Sequence, residues 1–213
     1  MQKPRVFFVS HGGGPMPLLG DASHADMVTC LQSVAAKIKK PSAILMISAH
    51  WEANPINITS SAAPELIYDY YGFSDSAYSI EYPCPGEPVL AEQVHQALTT
   101  AHIDSELNST RGFDHGMYVP LKIMYPDADI PCVQLSLHPS LLPNVHLAIG
   151  EALQNLHYDN LLIIGSGFTF HNMRAFLHRK QPKSKCKISL LSSGLLMCAV
   201  IHRLQNNSVT LSY

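Results

Sequence analysis

The chain has 213 residues, enough for one domain with a large core and too few for two well-built ones. Hydrophobic residues make up 46% and charged residues 14%, which excludes an extended disordered chain and a charge-zippered coiled coil. The formal net charge is −2 and the pI is about 6.6, so no basic excess is available to neutralise phosphates and nucleic acid is not an expected partner.

In chain order, RVFFVS at 5–10 predicts a short strand that runs into His-Gly-Gly-Gly. Residues 21–40 predict an amphipathic helix, with Met27, Leu31, Val34 and Ile38 at helical spacing and Pro41 as its stop. SAILMISA at 42–49 is a continuous apolar run, the pattern of a strand buried on both faces. A weaker strand is expected at 56–60. Residues 61–88 are rich in Tyr, Pro, Ser and Gly without a period, a long loop of the kind that tends to carry function. Helices follow at 88–101, 120–125 and 143–156, the last with proline at its start. Buried strands are expected at 130–137 and 160–165. Strands alternating with helices imply a single α/β domain with a mostly parallel sheet covered on both faces.

The five cysteines are odd in number, widely spaced and without a CxxC pair, which argues against a disulfide framework and a Cys-rich zinc knuckle. Cys132, in the apolar run IPCVQL, is expected to behave as a small hydrophobe. The N-terminus lacks the apolar length and cleavage site of a signal peptide, and residues 188–204 are too interrupted by serines and glycine to span a membrane. The expected compartment is the cytoplasm, with no membrane partner.

Histidine is unusually common, 12 residues against 14 Lys and Arg combined, which points to metal or proton chemistry. His11, His50 and His171 each lie just past the carboxyl end of an expected buried strand, the edge at which open α/β sheets bind ligands. One such histidine is ordinarily a hydrogen-bonded core or loop residue. Three at one edge have the makings of a metal site with open positions. His115 lies in Gly112-Phe113-Asp114-His115-Gly116, where glycines permit close backbone approach and a neutral imidazole can act as acid or base; the plainer reading is an Asp–His turn hydrogen bond. The other histidines, His24 and His146 among them, are read as solvated or packed. Gly12-Gly13-Gly14-Pro15 lacks GxGxxG and GK[ST] and is not a phosphate loop; Ser166 in Gly165-Ser166-Gly167 is read as a turn serine without a nucleophile's setting.

Ser10-His11-Gly12-Gly13-Gly14-Pro15, Ser48-Ala49-His50-Trp51-Glu52, Tyr82-Pro83-Cys84-Pro85-Gly86, Gly112-Phe113-Asp114-His115-Gly116, the stretch 124–136 and Gly165-Ser166-Gly167 with His171-Asn172 occur in one order and spacing. Together they resemble the DODA-type extradiol aromatic ring-opening dioxygenases of the class III extradiol superfamily, over residues 4–180 or so. The resemblance implies a twisted α/β sheet with one divalent metal at its edge: Fe(2+) for ring cleavage, with Zn(2+) able to take its place. It implies a catechol-type aromatic substrate and dioxygen. Position by position it makes His11, His50 and His171 the metal ligands and His115 the further, catalytic histidine.

The family pattern continues to a helix with Glu-His-x-x-Pro-Leu that completes the metal site, and residues 183–213 carry no such motif. The expected organisation is therefore a catalytic-type domain over 1–182, incomplete relative to the family, and an atypical tail over 183–213. Ring cleavage by the chain as given is expected to be impaired. A zinc hydrolase and a non-catalytic metal-binding protein are the alternatives.

Overall fold

In the computed structural model residues 4–154 and 156–167 are described. His171, His202 and the domain boundary expected after residue 182 lie outside the described residues. The elements run β1 (Arg5–Val9), α1 (Ala25–Lys37), β2 (Ala43–Glu52), β3 (Ile56–Thr59), α2 (Pro88–Thr100), β4 (Ser105–Asn108), α3 (His115–Met124), β5 (Cys132–Leu137), α4 (Pro143–Leu153) and β6 (Leu161–Ser166). One six-stranded sheet has the order β1-β6-β2-β5-β3-β4. All neighbours are parallel except β3 and β5, which meet antiparallel, so the sheet is mostly parallel as expected.

Alternation along the strands divides the interior in two. Ala43, Leu45 and Ile47 of β2, Val133, Leu135 and Leu137 of β5, and Leu161 and Ile163 of β6 face α2 and α4. Ile44 and Met46, Cys132, and Leu162 and Ile164 face α1, α3 and the tyrosine-rich segment before α2. Burial on both faces explains why these strands read as unbroken apolar runs, each fully buried Ile or Leu contributing about 1.5–3 kcal/mol. The face toward α3 is not wholly apolar: Gln134, Ser48 and Ser166 are fully buried there or at its end. Cys84 and Cys132 are buried on this side as well, and burial pushes the Cys132 thiol well up, consistent with an inert packing role. No described helix is long and apolar enough to cross a membrane.

Three elements differ from expectation. β4 is an exposed edge strand with the sequence SELN, which has no apolar run to announce it. α3 begins at His115 rather than at 120, with Pro120 inside it. Ser166 is the last residue of β6 rather than part of a turn.

His146, at the start of α4, is completely buried and closes the β5–α4 connection. Its Nε2 accepts the backbone N–H of His138 at 3.2 Å, and its Nδ1–H donates to the Leu142 carbonyl at 2.9 Å. Burial lowers its pKa from the ordinary 6.5; the nearby His138 adds to this, while Leu142 and Glu52 partly oppose it. The unfolded chain therefore binds this proton more readily, and stability should be constant above pH ~6.5 and fall as the pH drops below it. Urea midpoints at pH 7.5 and 5.5 should show that fall, and it should be smaller in His146→Gln. An equal fall in the variant would contradict this assignment.

Candidate metal centre

The carboxyl ends of β1, β6 and β2 lie side by side, with Val9 opposite Ser166 and Ser48 opposite Ser166 on the two flanks of β6. His11 follows β1 and His50 lies near the end of β2. His115 is the first residue of α3, which packs across this edge. The three rings converge: centroids are 4.8 Å apart for His11 and His50, 5.2 Å for His11 and His115, and 4.0 Å for His50 and His115. One ligand nitrogen from each lies within 4.8 Å of the others. His11 and His115 are buried, while His50 is exposed at the mouth.

Hydrogen bonds to neighbours set the tautomers. Pro120 has no N–H to give the carbonyl of Gly116, four residues earlier. The Ser166 hydroxyl donates to that carbonyl instead. Its oxygen can then only accept from His11, whose Nδ1 is 2.9 Å away. His11 thus carries its proton on Nδ1 and its lone pair on Nε2, the nitrogen that faces His50 Nε2 at 2.9 Å. His115 Nδ1–H donates to Asp69 Oδ1 at 2.7 Å, and the His115 backbone N–H donates to the same oxygen at 3.0 Å. Asp69 Oδ2 lies 4.0 Å from His50 Nδ1. Burial pulls the Asp69 carboxyl upward, but the hydrogen bonds and charge of His115 outweigh it and hold the pKa below the ordinary value.

Neutral imidazoles with a lone pair on one nitrogen, and the other N–H held by a carboxylate or hydroxyl, are the donor type that Zn(2+) and Fe(2+) take. The 2.9 Å between His11 and His50 nitrogens is close to the about 3.3 Å expected for two ligands at about 2.0–2.1 Å from a tetrahedral ion. The residues present fit a metal.

A buried polar frame holds the site. Asp114, fully buried, accepts from the Ser48 hydroxyl at 2.7 Å, from Gln134 Nε2, and from Arg111 Nη2 at 3.3 Å. Ser48 Oγ in turn accepts the His50 backbone N–H at 3.2 Å. The Arg111 guanidinium lies 4.4 Å over the Trp51 ring. Gly116 is required where α3 meets β2: a Cβ there would overlap Ser48 Oγ and come within 3.0 Å of His50 Cδ2. Beside His115 stands an aromatic wall, with the Tyr70 ring 5.7 Å from it edge-on and the hydroxyls of Tyr118, Tyr70 and Tyr68 all donating to fixed acceptors. Burial pushes the phenols of Tyr70 and Tyr118 up.

Asp69 and the Ser166 bridge were not singled out by sequence reading. Asp69 lies in the aperiodic 61–88 segment, where nothing but an acid among four aromatics marks it. His115, set apart from the ligands in the sequence reading, has its ring among His11 and His50.

A mostly parallel α/β sheet with three histidines at its carboxyl edge that could hold a metal ion has the layout of an open-sheet ligand site. The family model described as "Catalytic LigB subunit of aromatic ring-opening dioxygenase" matches residues 6–185, and the chain belongs to that family. It is 42% identical over 181 residues to "Dioxygenase tasH" of Hapsidospora irregularis, covering 81% of this chain and 56% of the relative. It is 41% identical to a "4,5-DOPA dioxygenase extradiol" of Beta vulgaris (78% of this chain, 62% of the relative) and 35% identical to one of Escherichia coli strain K12 (79% and 60%). The chain thus spans less than two thirds of these relatives' length. Among solved structures, the uncharacterized protein JW3007 from Escherichia coli K12 superposes with a TM-score of 0.66 at 25% identity, over 84% of this chain and 81% of that one.

Proposed function

We propose that this chain carries the active site of an extradiol-type dioxygenase that opens a catechol-type ring with dioxygen. In this reading His11, His50 and His171 hold one divalent metal, Fe(2+) for ring cleavage and Zn(2+) as an alternative occupant, and His115 is the catalytic acid–base. The observation that carries it is the meeting of three imidazoles at one sheet edge with a carboxylate, Asp69, behind the one assigned to proton transfer. Bound iron supplies the electron relay between catechol and dioxygen.

The chain's own residues then have definable tasks. His11, its proton kept on Nδ1 by Ser166, presents Nε2 as a donor. His115, its Nδ1–H held by Asp69, has its lone pair on Nε2 and can accept a catechol hydroxyl proton there. The imidazolium so formed sits against the Asp69 carboxylate, which lowers the cost of the transfer. Tyr70 and the tyrosines behind it offer an apolar wall suited to a flat ring.

The test is oxygen uptake with a catechol panel after anaerobic loading with ferrous iron. It would use the chain as given and a version whose residues 183–213 are replaced by a family-type C-terminal segment. Uptake is expected in the second version and weaker uptake in the first. In both, His115→Ala should lower the rate by about 100-fold or more, the usual worth of a general acid–base, without loss of bound metal. Metal binding without catechol-dependent uptake in either version would refute the dioxygenase reading and favour a metal-binding or hydrolytic role.

A further inference from the structure

We infer that His24 is a positioning residue for the metal centre, holding the glycine turn that follows His11 by accepting the Gly13 amide; the inference rests on the metal-site reading above. Gly12 and Gly14 both have left-handed backbone, with φ of 81° and 58°. Glycine reaches such angles without strain but also leaves them easily, so the turn needs an external tie. Within the turn the Met16 N–H donates to the Gly13 carbonyl at 3.3 Å. The amide side of Gly13 is held from outside, its N–H donating to His24 Nε2 at 3.1 Å.

The tautomer of His24 follows from its neighbours. A backbone amide can only donate, so Nε2 must bear the lone pair, and Nδ1–H then donates to Asp21 Oδ1 at 2.8 Å. Asp21 is fixed in turn, accepting from the Ser23 backbone N–H at 3.0 Å and from the Ser23 hydroxyl. Its carboxyl lies below the ordinary pKa, Ser23 being the largest cause and His24 the next. The chain Asp21–His24–Gly13 therefore ties the start of α1 to the turn.

Packing supports the same role. A Cβ on Gly12 would lie 2.8 Å from His24 Cδ2, so the ring edge closes over that glycine. On the other side, a Cβ on Gly14 would come 3.4 Å from Phe73 Cζ and 3.8 Å from Tyr70 Cβ. The turn is clamped between His24 and the aromatic wall that flanks His115, with His11 at its root. Among the described residues, His24 is tied to the candidate metal centre through this turn.

Cobalt(II) uptake by the full chain tests the inference, read as affinity against a chromophoric chelator and as the visible ligand-field spectrum. His24→Gln can place its carbonyl where Nε2 lies and accept from Gly13. His24→Asn can keep a donor toward Asp21 but not the acceptor. His24→Gln is expected to match wild type in affinity and spectrum. His24→Asn is expected to bind about 10-fold more weakly, the lower end of losses seen when a ligand's outer support is removed, with a changed spectrum. Melting profiles without metal separate this from unfolding. Wild-type affinity and spectrum in His24→Asn would overturn the inference, and so would equal losses in both variants, which would mark bulk packing. Absence of cobalt binding by wild type, or its persistence in a His11→Ala, His50→Ala double variant, would overturn the metal-site reading itself.

Discussion

Asp114→Ala is expected to destabilise the fold by about 3 kcal/mol, the lower end of the range for removing one partner of a buried ion pair. The carboxylate is wholly buried and is the common acceptor for Ser48, Gln134 and Arg111. Alanine leaves three donors without it at once, and Gln134 and Ser48 are fully buried away from bulk solvent. The Arg111 side chain is 24% exposed and can recover some hydration, which keeps the figure at the lower end. The damage should reach the candidate metal centre, because the Ser48 oxygen anchored by Asp114 receives the His50 amide. A urea midpoint shift worth less than about 1 kcal/mol would show that the frame is redundant.

Gly112→Ala should be nearly as costly and more directly injurious to the site. A Cβ at 112 would overlap the carbonyl oxygen of Glu65 and reach 3.2 Å from Ile67 Cγ1. The obstacle is backbone, so no rotamer change relieves it. The two segments must part, breaking the 2.8 Å bonds from the Phe113 amide to the Glu65 carbonyl and from the Ile67 amide to the Phe113 carbonyl. Overpacking and two lost bonds together come to about 2–4 kcal/mol. Asp69 is two residues beyond Ile67, so its bonds to His115 should be lost as well. Thermal denaturation reads the first effect. The His115 imidazole nitrogen shifts read the second: a variant that kept the proton on Nδ1 would show that Asp69 had not moved.

The sheet was legible because its inner strands are buried on both sides and so spelled as continuous apolar runs, AILMI and LLII among them. β4 was not, since an edge strand of the sequence SELN has little to bury. The true start of α3 was hidden by Pro120, which reads as a helix start but sits inside, tolerated because the Gly116 carbonyl it leaves unbonded is claimed by Ser166. His11, His50 and His115 could be picked out from strand ends and glycine flanks. Asp69 could not, because its contact with His115 spans 46 positions and comes from a segment without periodicity. His24 and His146 read as ordinary histidines because the Nε2 of each accepts a backbone amide, which no composition reveals.

The strand order has a consequence for the sequence of assembly. Among the described strands β1 pairs only with β6, and β6 separates it from β2. β1 therefore has no place beside these strands until residues 161–166, which are made much later, have been inserted next to β2. His11 is made well before its ring can be located, since the hydroxyl that orients it belongs to that later strand. Contacts spanning 155 positions close slowly, so a nascent or interrupted chain passes through a stage in which His50 and His115 can already be framed by β2 and α3 while His11 is not.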